Sequence, residues 1–287
     1  LRDLRFGPAA RHLGVLLHLA SFGFLYNSWA YAMPDPLAML LLVLACRAIV
    51  RGRDLELAVW LVAGALTKEV VLYVVPVRWL WARRSGLDGP QALRAAVVAL
   101  PAVAVFLWLR FSSGDEAAEY TGFVTGSAWL FPWKHQPDNV ARLFSPFAAG
   151  WALVALSLRG IASRPLHEPG PDRWIVASAG FAIPCALSLL VTDAGRMLVY
   201  LLPFAVPAML RAAGADERVP RRGLIALLLV CLSSRLWEPF LPLWLVPVGI
   251  RRPAARLLVV VCAWLVYRLG RGAPDESTAA CSPASAA

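Results

Sequence analysis

The chain has 287 residues, of which 59% are hydrophobic and 16% charged, and its mean hydropathy is +0.63. A water-soluble domain normally carries about 25% charged residues, so this composition excludes an ordinary soluble globular protein and indicates that a bilayer surrounds the chain. The formal net charge of +10 then indicates cytoplasmic loops rather than a polyanionic partner, which excludes a nucleic-acid binder.

Apolar runs recur along the chain and predict an all-α fold, a polytopic transmembrane helix bundle of about nine to eleven segments. Several runs are shorter than the roughly 20 residues that span hydrocarbon, so short or broken helices are expected. Residues 1–270 form the transmembrane domain in this interpretation, and the small, polar residues 271–287 form a disordered tail. The runs lie near residues 12–26, 36–50, 55–67, 70–82, 95–111, 143–158, 174–192, 197–211, 223–234, 240–250 and 257–269.

The positive charges predict the orientation of these segments. With the N-terminus inside, most of the 28 Lys and Arg residues fall on the cytoplasmic side, whereas Arg110, Lys134, Arg142, Arg196 and Arg235 fall outside. This asymmetry is the one that the positive-inside rule describes. The sequence therefore predicts an integral membrane protein.

Residues 55–82 are predicted to form a short helical hairpin rather than one crossing. A single crossing would invert every later segment and move most positive residues outside. Each arm has about 13 residues and so reaches roughly 20 Å into a hydrocarbon core about 30 Å thick. The tip, at residues 66–69, is then held at depth, where non-helical backbone is tolerated only against protein or a water-filled cavity.

Residues 33–36 (Met-Pro-Asp-Pro) open the second segment at its external end. Asp is a preferred N-cap and Pro is favoured at the first helical position, so Asp35 can simply start a helix. The functional alternative is a carboxylate that faces an external cavity and binds or deprotonates a hydroxyl group. Asn27 and Tyr31, shortly before it, are hydrogen-bonding and stacking residues of the kind that sugar sites use.

Lys68 and Glu69 are charged residues at the tip of the predicted hairpin. A charge at the centre of a membrane helix costs roughly 2.5 to 3.5 kcal/mol on insertion scales and is usually functional. The alternative is a pair of mutually neutralised charges. Adjacent residues on a helix do not face each other, however, so such a pair requires the helix to break.

Two further external stretches carry candidate residues. Residues 192–196 (Thr-Asp-Ala-Gly-Arg) form a predicted turn, in which Asp193 and Arg196 either cap the adjoining helices or, in the case of the guanidinium, bind a phosphate. The polar stretch 112–140 contains His135, and unstructured loops of this length are usually functional or disordered. The five cysteines and four histidines show no metal-ligand spacing, so a zinc site has no support in the sequence; a divalent-metal cofactor stays an open alternative without a ligand motif.

Three of these stretches resemble the C-type (GT-C) superfamily of integral-membrane glycosyltransferases, including its bacterial mannosyltransferase-like members. The similarity covers about residues 10–210. It rests on Asp35-Pro36 before an apolar helix, on LAVWLVAGALTKEVVLYVVPV at 57–77 and on DAGRMLVYLLPFAVP at 193–207. The resemblance implies a polyprenyl-phosphate sugar donor, an envelope glycan or lipid acceptor, and an inverting transfer at the extracytoplasmic face of the bacterial inner membrane, with a carboxylate as general base.

By this resemblance Asp35 sits beside the catalytic base, and Lys68 and Arg196 neutralise the donor phosphate, with Glu69 and His135 as further substrate-binding candidates. In the superfamily that base is an essential acidic residue of the first external loop, and no residue of this chain matches it. We therefore expect that a preceding part lies upstream of Leu1 or that the chain has lost activity.

Two other functions are alternatives. Broken helices with buried charges at mid-depth are also how secondary transporters bind substrates, so the chain can be a transporter or flippase-like carrier of lipid-linked or anionic solutes. Transporters commonly contain two related halves, and no second short hairpin matches residues 55–82. The second alternative is a membrane protein without catalytic activity.

Overall fold

The structure, a computed structural model, describes residues 1–20, 35–84, 89–112, 147–161, 170–178, 180–181, 199–215, 219–237 and 248–271. These residues are overwhelmingly helical and contain no strand, which confirms the predicted all-α class. In chain order the helices are α1 (Pro8–Ala20), α2 (Asp35–Arg51), α3 (Asp54–Thr67), α4 (Val75–Arg84), α5 (Gly89–Ser112), α6 (Gly150–Ile161), α7 (Pro171–Ala177), α8 (Leu202–Ala212), α9 (Arg221–Trp237) and α10 (Val248–Arg271). Short 3-10 helices cover Arg2–Leu4, Glu69–Val74 and Val199–Leu201.

The last helix differs from the predicted segmentation. Residues 248–271 form one helix, so the connection expected at residues 251–256 is wrong. Arginine is among the better helix formers, and the arginines of this stretch therefore interrupt the apolar pattern without ending the helix. Across the part of the chain that the structure describes, no helix is both long enough and apolar enough to cross a bilayer.

Two other predicted segments fall almost wholly outside the described residues. Of the external loop at 112–140 only Ser112 is described, as the last residue of α5. Of the tail at 271–287 only Arg271 is described, as the last residue of α10. The external position of the loop and the disorder of the tail therefore stay predictions.

The helices pack in two groups around one apolar core. In the first group α2 packs on α3, α3 on α5 and α4 on α5. In the second, α8 contacts α1, α6, α7 and α9, and α10 packs on α6 and α9. Fully buried side chains come from both groups, including Leu42, Ile49, Leu57, Leu153, Met209 and Leu227.

Aromatic rings join the two groups where α4 packs on α7. The rings of Trp81 and Trp174 meet edge to face with their centroids 5.8 Å apart, and Trp174 stacks on Phe204 of α8 at 5.6 Å. The Nε1–H of Trp174 donates to the carbonyl oxygen of Pro203 over 3.1 Å. Because this polar end of the buried ring is satisfied, the cluster can remain dry.

Ion pairs link helix ends that are distant in sequence. They join Arg51 to Asp3, Arg78 and Arg94 to Asp54, and Arg211 to Asp172, with N–O distances of 2.7 to 2.9 Å. All four arginines belong to the set that the predicted topology assigns to the cytoplasmic side. The bonded Arg51 guanidinium lowers the pKa of Asp3 below its ordinary value of 3.8. This pair therefore stabilises the fold above that pH, and its contribution is lost as the pH falls through the lowered pKa.

Gly64 lies where α3 comes very close to the chain that follows it. A Cβ atom on Gly64 would lie 2.5 Å from Cβ of the buried Val71, whereas a Cβ atom on Gly160 of α6 would have nothing within 4 Å. We expect Gly64→Ala to lower the free energy of unfolding by about 1 to 3 kcal/mol through overpacking. Gly160→Ala should be neutral or slightly stabilising, because alanine is the better helix former. Thermal unfolding of the purified protein measures both, and equal effects would contradict the close approach.

Candidate functional site

The helical geometry stops at Lys68, within the residues 66–69 assigned to the hairpin tip. Lys68 has an extended backbone (φ −165°, ψ 127°) between the end of α3 and the 3-10 helix Glu69–Val74. Its N–H donates to the carbonyl oxygen of Gly64 over 2.7 Å, and its own carbonyl accepts from the N–H of Val71 over 3.2 Å. The hydroxyl of Thr67 donates to the carbonyl oxygen of Ala63. Backbone bonds and one hydroxyl thus hold the break, and it takes no cap from the Lys68 side chain.

The chain folds back after this break. Arg78 of α4 donates from Nη2 to Oδ1 of Asp54, the first residue of α3, over 2.9 Å. This bond requires the returning chain to pass along α3 to its opposite end. Since α3 has 14 residues and rises about 1.5 Å per residue, Lys68 lies roughly 20 Å from the Asp54 ion pair.

Asp35 and Lys68 belong to the same end of a helix pair. α2 and α3 are packed neighbours joined by a turn at residues 52 and 53. Gly52 has φ 66°, a left-handed conformation that glycine adopts without strain, and the N–H of Arg53 donates to the carbonyl oxygen of Ala48. So short a turn makes neighbouring helices antiparallel. The start of α2 therefore lies towards the same end as the break at Lys68, and α2 also packs on the 3-10 helix that follows the break.

The Lys68 ammonium lies over the ring of Tyr200, with Nζ 5.3 Å from the ring centroid. Tyr200 is buried, with 1% of its surface exposed, and belongs to the 3-10 helix that precedes α8. A cation over an aromatic face gains roughly 0.5 to 2 kcal/mol, and the gain is larger when the pair is desolvated. The contact joins two of the stretches on which the family resemblance rests, residues 57–77 and 193–207.

The predicted site residues are only partly described. Asp35 is the first residue of α2, and Glu69 begins the 3-10 helix beside Lys68. Asn27, Tyr31, His135, Asp193 and Arg196 lie outside the described residues. The structure thus brings Lys68 to Tyr200, which the sequence analysis did not select. The sequence held one signal for this residue, since Tyr200 lies four positions after Arg196 within the stretch 193–207.

A buried cation, Arg173 of α7, was also missed. It is 5% exposed, its Nη2 donates to the carbonyl oxygen of Trp81 over 2.8 Å, and its guanidinium carbon lies 4.3 Å from the centroid of the Trp81 ring. The predicted topology placed Arg173 in a cytoplasmic loop. In the structure this side chain joins α4 and α7.

Neither ligand geometry nor relatives identify a cofactor. Within the described ranges, no group of three or more His, Cys, Asp or Glu side chains could hold a metal ion. Comparison with family models, with curated proteins and with solved structures finds no match to this chain. A functional assignment must therefore come from the chain itself, above all from Lys68, Tyr200 and the end of the α2–α3 pair.

Proposed function

We propose that the chain is a membrane glycosyltransferase of the GT-C type, which transfers a sugar from a polyprenyl-phosphate donor to an envelope glycan or lipid at the extracytoplasmic face. One observation carries the proposal: the Lys68 ammonium, at a helix break over the buried ring of Tyr200, towards the end of the helix pair that Asp35 begins. A cation held over an aromatic ring suits a phosphate that gains charge during the reaction.

Exposed apolar side chains support a location in the bacterial inner membrane. Large apolar residues are exposed on several helices, among them Leu16, Leu40, Val97, Trp108 and Leu228, each more than half exposed. Contiguous apolar surface of large extent is rare on soluble monomers, whereas hydrocarbon is a favourable environment for it. Non-helical backbone such as that at Lys68 is tolerated at membrane depth only against protein or a water-filled cavity, and such a cavity would give the substrate access to the site.

The chemistry in this proposal is an inverting displacement. The acceptor hydroxyl attacks the anomeric carbon, the bond from that carbon to the donor phosphate oxygen breaks, and the polyprenyl phosphate leaves with the bonding electrons. Lys68, assisted by Arg196, stabilises the charge that develops on the phosphate. A carboxylate accepts the hydroxyl proton, and Asp35 is the candidate catalytic residue. The proposed substrate-binding residues are Lys68, Glu69, Arg196, Asp193, Asn27, Tyr31 and His135.

The helix break also supports a second candidate, a carrier of lipid-linked or anionic solutes. Carriers bind substrate at interrupted helices, and α3 is interrupted at Lys68 in this way. A carrier would move polyprenyl-phosphate sugar across a vesicle membrane without cleaving it. Release of polyprenyl phosphate therefore separates the two functions.

The proposed membrane topology predicts where reporter fusions are active. Fusions after Arg84, Pro169 and Glu217 should report the cytoplasm, because the flanking loops hold the excess of positive residues. A fusion after Glu116 should report the periplasm. A periplasmic signal at Pro169 would contradict the fold-back of residues 55–82 and the placement of every later loop.

Asp35 and Arg196 can be separated from simple helix caps by conservative changes. Asp35→Asn keeps a good N-cap, since Asn ranks with Asp at that position, but removes the negative charge and any base function. Arg196→Lys keeps the charge but removes the planar fork that binds phosphate. In the full-length protein we expect Asp35→Asn to lower sugar transfer at least about tenfold, or roughly 1.4 kcal/mol of barrier, at unchanged melting temperature. Wild-type transfer by both variants would leave only the capping role.

A further inference from the structure

The end of α10 carries aromatic and basic side chains on an exposed face. Val259, Cys262 and Val266 are buried, at spacings of three and four residues, and turn one side of the helix into the core. The opposite side exposes a run of apolar side chains, which comprises Leu257, Leu258, Val260, Val261, Trp264 and Leu265. Arg268 and Arg271 lie in the last turn, beyond this run, and Arg271 ends the helix.

Both arginines lie against aromatic rings one turn earlier in the helix. The guanidinium carbon of Arg268 is 5.3 Å from the centroid of the Trp264 ring, and that of Arg271 is 5.4 Å from the centroid of the Tyr267 ring. Residues four apart are neighbours on a helix surface, so the two pairs form one patch. The rings hold the guanidinium groups at the edge of the apolar run.

We infer that this aromatic–basic patch, formed by Trp264, Tyr267, Arg268 and Arg271, binds the headgroups of anionic phospholipids. The inference rests on the proposed membrane location but not on sugar transfer. Two guanidinium groups complement a phosphate-bearing headgroup of net negative charge. The exposed apolar run on the same face would contact the acyl chains of that lipid, which a soluble anion lacks. Tryptophan and tyrosine at the join match the side chains that favour the boundary between hydrocarbon and water.

The test is the affinity of the full chain in detergent for short-chain phosphatidylglycerol and for phosphatidylcholine of the same chain length. The double change Arg268→Gln with Arg271→Gln should weaken phosphatidylglycerol binding by roughly fivefold for each arginine removed and leave phosphatidylcholine binding unchanged. The matched control is Arg2→Gln with Arg5→Gln, which removes the same charge from two exposed arginines and should leave the affinity within about twofold, since distant surface charges are screened by salt.

Several results would overturn the patch as a lipid site. Equal losses in the test and control variants would show that only net charge matters, and no loss in either would remove the arginines from binding. Competition by inorganic phosphate as effective as that by phosphatidylglycerol would indicate a soluble-anion site. A lower melting temperature with unchanged lipid affinity would leave the arginines as helix-end stabilisers. Sugar transfer should persist in the Arg268 and Arg271 variant, so failure here is distinct from failure of the proposed glycosyltransferase.

Discussion

Lys68→Ala should weaken the binding of polyprenyl phosphate to the full chain by at least about tenfold, with the fold retained. A hydrogen bond to a charged group contributes about 1.5 to 3 kcal/mol, and Lys68 is the cation that the structure places against the buried ring of Tyr200. The melting temperature should fall by no more than the lost cation–π contact explains, about 0.5 to 2 kcal/mol, because backbone bonds and the Thr67 hydroxyl hold the helix break. Tyr200→Phe keeps the ring and should bind normally, whereas Tyr200→Leu removes the ring and should weaken binding.

A double-mutant cycle distinguishes this role from a structural pair with Glu69. If the two residues only neutralise each other, Lys68→Leu and Glu69→Leu should each destabilise the protein and the combined change should restore its stability. In the proposed role, no combination with a Glu69 variant restores phosphate binding once Lys68 is lost. Recovery of both stability and sugar transfer by the double change would refute the functional role of Lys68.

Asp54→Leu should be among the most destabilising single substitutions in the chain. Asp54 accepts hydrogen bonds from Arg78, and the two side chains are 13% and 6% exposed. Removing the carboxylate leaves the guanidinium of Arg78 buried without its counter-charge, at a cost of about 3 to 5 kcal/mol. Chemical or thermal unfolding of the purified protein measures the loss.

Two comparisons make the Asp54 result specific. Asp54→Leu combined with Arg78→Met should recover most of the lost stability, because a buried ion pair can be replaced by apolar side chains of similar volume. Glu56→Gln, which breaks the exposed pair between Arg53 and Glu56, should have no measurable effect. If Asp54→Leu is as mild as Glu56→Gln, the chain does not fold back from Lys68 to bring Arg78 against Asp54.

The sequence predicted helices well where apolar runs end at strong boundary signals. The runs at 36–50 and 55–67 match α2 and α3 to within one residue, because Asp35-Pro36 starts one helix and Gly52 separates the two. Arg251, Arg252 and Arg256 caused the wrong prediction of a connection at 251–256. Arginine interrupts an apolar pattern, but it does not end a helix.

The side-chain contacts of the site could not be predicted in the same way. The charge at Lys68 marked a break in the helix, but its aromatic partner Tyr200 comes from a distant part of the chain and is fixed only by the packing of the two helix groups. Arg173 shows the same limit: beside Asp172 its local sequence resembles a solvated turn, yet the carbonyl and ring of Trp81 hold it in the interior.

The most direct measurement compares the affinities of the purified full chain for polyprenyl phosphate and for the matching polyprenol. The two lipids share one hydrocarbon chain, so a difference between them reports recognition of the phosphate alone. If Lys68 binds the donor phosphate, the phosphate should bind at least about tenfold more tightly, or roughly 1.4 kcal/mol, and Lys68→Ala should abolish this preference. Equal affinities in the wild-type protein, or a preference that survives in Lys68→Ala, would contradict the proposed role of Lys68 in donor binding.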